Sequence, residues 1–231
     1  MARSWAENDL AKVREYFAKG VRIIMLTTFP IAAILAVLRV PIIQVVLERG
    51  AFDHRATVAV ANVMLILLAG PFICGGLGNV VWKGFYISQK TRLSAGLSVT
   101  NVAIYIIVAY FLSKSFSYIG LAWAITIQSL LGILVGMIGM KFVYKGINGK
   151  NILANFLKIL VACLLSGTFS YYSFHMFTLK ATLILSVALA AIVASIVYSL
   201  SVIYLFKIDE AVAMKVKVAD FFKSKLAFVP L

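Results

Sequence analysis

The stretch LERGAFDHR, Leu47 to Arg55, carries four formal charges in nine residues and lies between two long apolar runs. A short charged break between such runs reads as a turn joining two membrane-crossing helices. The apolar runs suit hydrocarbon, and the charges mark where the chain leaves it. Within the turn, Gly50 suits the left-handed residue that closes a helix. Asp53 suits the N-cap of the next helix, where a carboxylate accepts from free backbone N–H groups and complements the helix dipole. Glu48 and Arg49 set the depth at which the first helix ends.

Working outward, 63% of the 231 residues are hydrophobic, against roughly half in soluble domains. The segments long enough to cross a bilayer, at about 20 residues each, run near 21–47, 57–82, 93–112, 118–142, 152–174 and 179–206. No short alternating strands of the kind a barrel needs are present, so the expected fold is an all-α bundle of about six transmembrane spans. Both cysteines, Cys74 and Cys163, fall inside apolar runs and read as small buried hydrophobes.

The net charge of +14 is explained by basic residues flanking spans, not by a nucleic-acid partner. With the N-terminus inside, 17 of the 22 Lys and Arg residues fall on the inner side and 5 on the outer. That bias sets the orientation, with both termini cytoplasmic and the Leu47–Arg55 turn outside. Met1 to Gly20 is polar and charged, unlike a cleavable signal peptide. Ser4 and Glu7 fit a capping box, and Leu10, Val13 and Phe17 recur at helical spacing. The expected organisation is an amphipathic cytoplasmic arm over 1–20, a four-helix part over 21–145, two further spans over 151–207 and a cytoplasmic tail over 208–231. In that tail Met214, Val218 and Phe221 face several lysines.

The chemistry of catalysis is missing. None of the eight acids lies at a span centre, the two histidines are isolated, and no nucleophile–base grouping occurs, so neither an enzyme, a cofactor nor a metal site is expected. Neutral polar residues in the spans (Asn62, Asn79, Thr100, Asn101, Thr126, Gln128, Ser166 and Thr168) each need a partner in hydrocarbon, mostly across helices. Asn79 and Gln128 stand out as ligand candidates because amides are costlier to bury than hydroxyls. Lys83, at the inner end of the second span, either snorkels to the headgroups or meets an anionic headgroup. Pro30, Pro41 and Pro71, the last followed by Gly75, Gly76 and Gly78, mark bends that serve either packing or motion. Gly132 and Gly136 form a close-contact motif.

Several ordered pieces together resemble the MurJ/MviN family of lipid II flippases, within the multidrug/oligosaccharidyl-lipid/polysaccharide exporter superfamily. They are Gly20-Val21-Arg22 leading to Phe29-Pro30, and Pro41-Ile42-Ile43 followed by Leu47-Glu48-Arg49-Gly50-Ala51-Phe52-Asp53. Lys83-Gly84-Phe85-Tyr86, Asn101 and Gly120-Leu121-Ala122 complete them. The resemblance covers about Ser4 to Lys145. It departs from the family at Ser88–Ser94, which lacks the family's Asp and Pro. It implies that Arg49, Gly50, Phe52 and Asp53 form a family-motif turn facing outward. It further implies a flippase of about fourteen spans in two lobes, of which this chain matches the last six.

The implied function is translocation of a polyprenyl-diphosphate-linked sugar, lipid II for peptidoglycan, across the bacterial inner membrane by alternating access. The final two helices would form a groove for the polyprenyl tail. Lys83 and Arg22 are the basic headgroup candidates, beside Asn79 and Gln128. The expected partners are that glycolipid, membrane lipids and an N-terminal lobe supplied elsewhere. The rival readings are a flippase for another lipid-linked oligosaccharide and a non-transporting membrane scaffold.

Overall fold

A computed structural model describes residues 1–179, 182–208, 210–212 and 215, which form helices joined by short turns, with no strand among them. Lys180, Asp209 and the tail residues Met214, Val218 and Phe221 lie outside the described residues. The helices are α1 (Ala2–Ala6), α2 (Leu10–Val37), α3 (Arg39–Leu47), α4 (His54–Leu67), α5 (Ile73–Ile87), α6 (Thr91–Val143), α7 (Gly149–Thr178) and α8 (Leu183–Leu200). A π turn, Leu68–Phe72, joins α4 to α5 without a break, and another, Ser201–Leu205, extends α8.

Five of these helical stretches are long and apolar enough to cross a membrane. The longest makes two passes. Ser117 has φ 54° and ψ −133° in the middle of the 53-residue α6. Asn101 lies against Gly132, where a Cβ would meet its Nδ2 at 2.7 Å, and Leu97 lies near Gly139. A straight helix would hold residues 101 and 132 about 46 Å apart, so the two arms, 91–116 and 118–143, fold back on each other. Gly120 makes the turn possible, because any Cβ there would run into the Leu112 carbonyl. The six-pass expectation therefore holds, with third and fourth spans joined by a turn too tight to register as a loop.

Each proline in the spans has a nearby backbone carbonyl met by a side chain. A proline has no N–H for the residue four before it, so Pro30 leaves the Leu26 carbonyl without its helical donor. Tyr198 of α8 donates to that carbonyl at 2.9 Å, and the phenol is buried. Pro41 stands in the first turn of α3, where proline is tolerated, and the chain bends at Leu38. Arg39 donates from Nη1 to the Ala36 carbonyl at the end of α2, 2.8 Å away. Pro71 lies in the π turn, and Thr126 donates to the adjacent Ile66 carbonyl at 3.0 Å. Gly70 lets α6 approach this closely, since a Cβ there would stand 2.5 Å from the Thr126 Cα. These bends are thus packed and hydrogen-bonded, as helix breaks in hydrocarbon require.

At one end of the bundle the start of α2, the ends of α5 and α6 and the segment after α8 meet in an aromatic knot. Phe17, Phe85, Met140 and Tyr144 are fully buried there, with Trp5 against Tyr144. Tyr144 donates from its hydroxyl to the Gly84 carbonyl at 3.1 Å, and burial raises its phenol above the ordinary value, keeping it a donor. Arg14 donates from Nε and Nη2 to the Tyr144 and Lys145 carbonyls, both at 2.8 Å, capping the C-terminus of α6.

Two local readings change. Ser4 does not cap a helix; it lies buried inside α1, whose N-cap is Met1. Asp9 is the cap of α2 and accepts from the Lys12 N–H at 3.1 Å, after Asn8 takes φ 60°. The expected arm boundary at residue 20 falls inside α2, which runs unbroken through Gly20. Val13 and Phe17 spend their apolar face on the knot, not on a membrane surface.

Candidate functional site

The Leu47–Arg55 turn is closed on itself. Gly50 takes φ 61°, and the Asp53 carboxylate caps α4 by accepting from the Ala56 N–H at 2.8 Å. Glu48 accepts from the Thr57 hydroxyl at 2.8 Å and stands 3.4 Å from His54 Nδ1. Arg49 donates to the Val46 carbonyl, and the Phe52 N–H donates to the Arg49 carbonyl. Every charged member of the family motif thus serves the turn, and none converges on a cavity.

The four ligand candidates separate into two settings. Asn79 and Gln128 come together in a cleft of about 190 Å³ between α5 and the two arms of α6, with Asn101 and Ser129 in its walls. Glycines shape the cleft: Gly75 and Gly78 on α5 leave space where side chains would stand, and Gly132 on α6 lets the Asn101 amide lie against its backbone. Asn79 donates back to the Gly75 carbonyl at 3.1 Å. Asn101 and Gln128 are half-buried, and neither amide has a side-chain hydrogen bond among the described residues. Such a cleft offers neutral donors and acceptors, suited to hydroxyl and amide groups and not to charge neutralisation.

Arg22 and Lys83 line no part of this cleft. Arg22 is committed to Glu210, with Nη2 and Nε both 2.6 Å from one carboxylate oxygen and the pair mostly buried. Its charge is therefore neutralised within the chain. Lys83 is exposed beside Trp82 near the aromatic knot, with no ion pair among the described residues. The neutral span residues divide as well. Thr126 and Ser166 bond across helices, to the Ile66 and Ala194 carbonyls, whereas Thr100, Thr168 and Asn79 bond within their own helix. The expectation of mostly interhelical partners is thus corrected. A hydroxyl or short amide reaches its own preceding turn without waiting for a neighbour.

A second, apolar groove of about 810 Å³ runs between α2, α4 and α7, walled by Ala33, Ala36, Leu65, Leu164, Gly167 and Tyr172 among others. Of the final two helices only α7 lines it; α8 packs against α7, α2 and α3 and contributes no lining residue. The resemblance implied a groove built by the final two helices; for this one between α2, α4 and α7 the sequence holds no signal beyond the small residues Ala32, Ala33 and Ala36. Arg39, one of the five basic residues counted on the outer side, also stands in its wall.

A family model described as lipid II flippase MurJ matches residues 1–193. A probable lipid II flippase MurJ from Synechocystis is 32% identical over 116 residues, half of this chain and 22% of that protein. One from Rhizobium meliloti is 26% identical over 154 residues, 66% of this chain and 28% of its own length. A solved structure of lipid II flippase MurJ in an inward closed conformation has the same fold, with a TM-score of 0.71 at 17% identity. That likeness takes in 89% of this chain and 42% of the solved one. The chain thus spans less than half the length of the proteins it matches. With the family model covering most of its residues, the chain belongs to the MurJ family of lipid II flippases.

Proposed function

We propose that this chain serves as the second-lobe part of a flippase that moves a polyprenyl-diphosphate-linked sugar, lipid II in peptidoglycan synthesis, across the bacterial inner membrane. The observation that carries the reading is a division of labour within one bundle. An amide-lined cleft and an apolar groove share no lining residue. A lipid-linked sugar has the same two halves, one rich in hydroxyls and amides and one purely hydrocarbon. The diphosphate requires cations in a low-dielectric cavity. Of the two basic headgroup candidates Arg22 is already paired, which leaves Lys83, and further cations come from the first lobe.

The knot end is assigned to the cytoplasm. The 17-to-5 division of basic residues supports this, and reporter fusions at both termini check it. The arm (1–20) and the tail (208–231) then lie on the inner side. In a strain depleted of its own lipid II flippase, this chain co-expressed with a first lobe restores growth, and the chain alone does not. Rescue by the chain alone would overturn the two-lobe requirement. Restored export of another polyprenyl-linked sugar without lipid II would move the substrate. Lys83→Ala at normal membrane level is expected to abolish rescue, and full rescue removes the headgroup role from Lys83.

A further inference from the structure

Arg39 stands in the wall of the apolar groove. It lies nine residues before Glu48, about 13 Å along the helix from the outer turn at 1.5 Å per residue. Helical side chains lean toward the N-terminus of their helix. Because α2 and α3 run toward the outer turn, Arg39 leans away from it. The hydrogen bond from Nη1 to the Ala36 carbonyl fixes that direction. The guanidinium is therefore not reaching up to the surface as a snorkelling cation does.

No carboxylate answers it. No ion pair to Arg39 is formed among the described residues, and the nearby acids Glu48 and Asp53 are occupied within the turn. Its Nε is buried with no hydrogen-bond partner among the described residues. The surfaces facing it across the groove are neutral: Leu65 and Leu68 from α4 and its π turn, and Thr168, Tyr171 and Tyr172 from α7. A guanidinium at this depth with an idle donor is costly unless an anion completes it, and the groove in whose wall it stands is lined mostly by hydrocarbon.

We propose that Arg39 and this groove form a binding site for a lipid whose single isoprenoid chain lies between α2 and α7 and whose phosphate meets the guanidinium. The choice of lipid class rests on the flippase reading; the anion and the depth rest on Arg39. A lipid with its phosphate joined directly to one chain carries charge and hydrocarbon in line, as a groove with a cation in its wall requires. A glycerophospholipid separates them by a glycerol held at the interface and brings a second chain. This site shares no residue with the amide cleft.

The test reads binding, not transport, so it fails separately from the flippase assignment. The full chain in lipid nanodiscs is titrated with geranylgeranyl phosphate, geranylgeraniol, phosphatidylglycerol and phosphatidylethanolamine, followed by native mass spectrometry. The phosphate is expected to bind at least about tenfold tighter than the alcohol, the worth of one charged hydrogen-bonded pair. Arg39→Gln removes that difference and leaves alcohol binding unchanged, and Arg39→Lys keeps part of it. Ala36→Phe, which fills the groove, weakens phosphate and alcohol alike. Equal phosphate binding by Arg39→Gln and the unaltered chain overturns the proposal, as does phosphatidylglycerol binding as tightly as geranylgeranyl phosphate. Should Arg39→Gln fail to fold, undiminished binding by Ala36→Phe overturns it alone.

Discussion

The two ends of this bundle are built on opposite plans. At the knot, Phe17, Phe85, Met140 and Tyr144 are fully buried, and both Arg14 and Tyr144 have their donors spent on carbonyls. Toward the other end, α2 and α7 part to leave the apolar groove, where Leu164 is 62% exposed and Arg39 keeps an idle donor. Satisfied polar groups and close packing resist movement, whereas a gap lined by small residues has neighbours on one side only. The larger space lies away from the knot, and beside the knot lies a smaller apolar pocket of about 300 Å³, reaching Val21, Met25 and Ile152.

Substitutions can break this contrast. Tyr144→Ala removes the centre of the knot and is expected to cost about 3–5 kcal/mol in chemical unfolding in detergent micelles. Leu164→Ala in the groove wall is expected to stay within about 0.5 kcal/mol. Comparable losses at the two sites would erase the distinction. Tyr198→Phe strands the Leu26 carbonyl and should cost about 1–3 kcal/mol. In a Pro30→Ala background the restored N–H supplies that carbonyl, and a cycle of the two variants should show the cost largely cancelled. Asp53→Ala, in the Leu47–Arg55 turn, should cost about 1 kcal/mol through loss of the α4 cap, with the knot unaffected by hydrogen exchange.

The smallest effect is a pH dependence at Asp9. The hydrogen bonds from Lys12 hold its carboxyl below the ordinary carboxylate value. A group lowered on folding stabilises above its unfolded pKa, near about 3.9, and loses that contribution as pH falls through the folded value. Asp9→Asn should flatten the acid limb of a thermal-melt profile slightly, and an unchanged limb removes the cap from the account.

What was legible in the sequence follows the range of each interaction. The spans, the Gly50 and Asp53 turn and the close approaches at Gly132 and Gly136 were readable, because each depends on a local run or on one residue's shape. Ser4 fits a cap by pattern, yet Asp9 caps α2, because neighbouring polar residues offer nearly equal starts and the packing of Val13 and Phe17 in the knot depends on the whole fold. The pairing of Arg22 with Glu210, 188 residues away, leaves no trace in either neighbourhood. The same holds for the groove, which is a space between helices and belongs to no single stretch. Asn79 and Gln128 were chosen for amide cost alone, and their meeting in one cleft depends on the α6 turn at Ser117, which no proline or loop composition announces.

The Tyr198 hydrogen bond also orders events during synthesis. The Leu26 carbonyl leaves the ribosome 172 residues ahead of the hydroxyl that will meet it. Until α8 arrives, the first span carries an unpaired acceptor at its proline, a cost in hydrocarbon that water or a transient neighbour must offset. The bend at Pro30 is therefore completed only once α8 has been made and packed against α2.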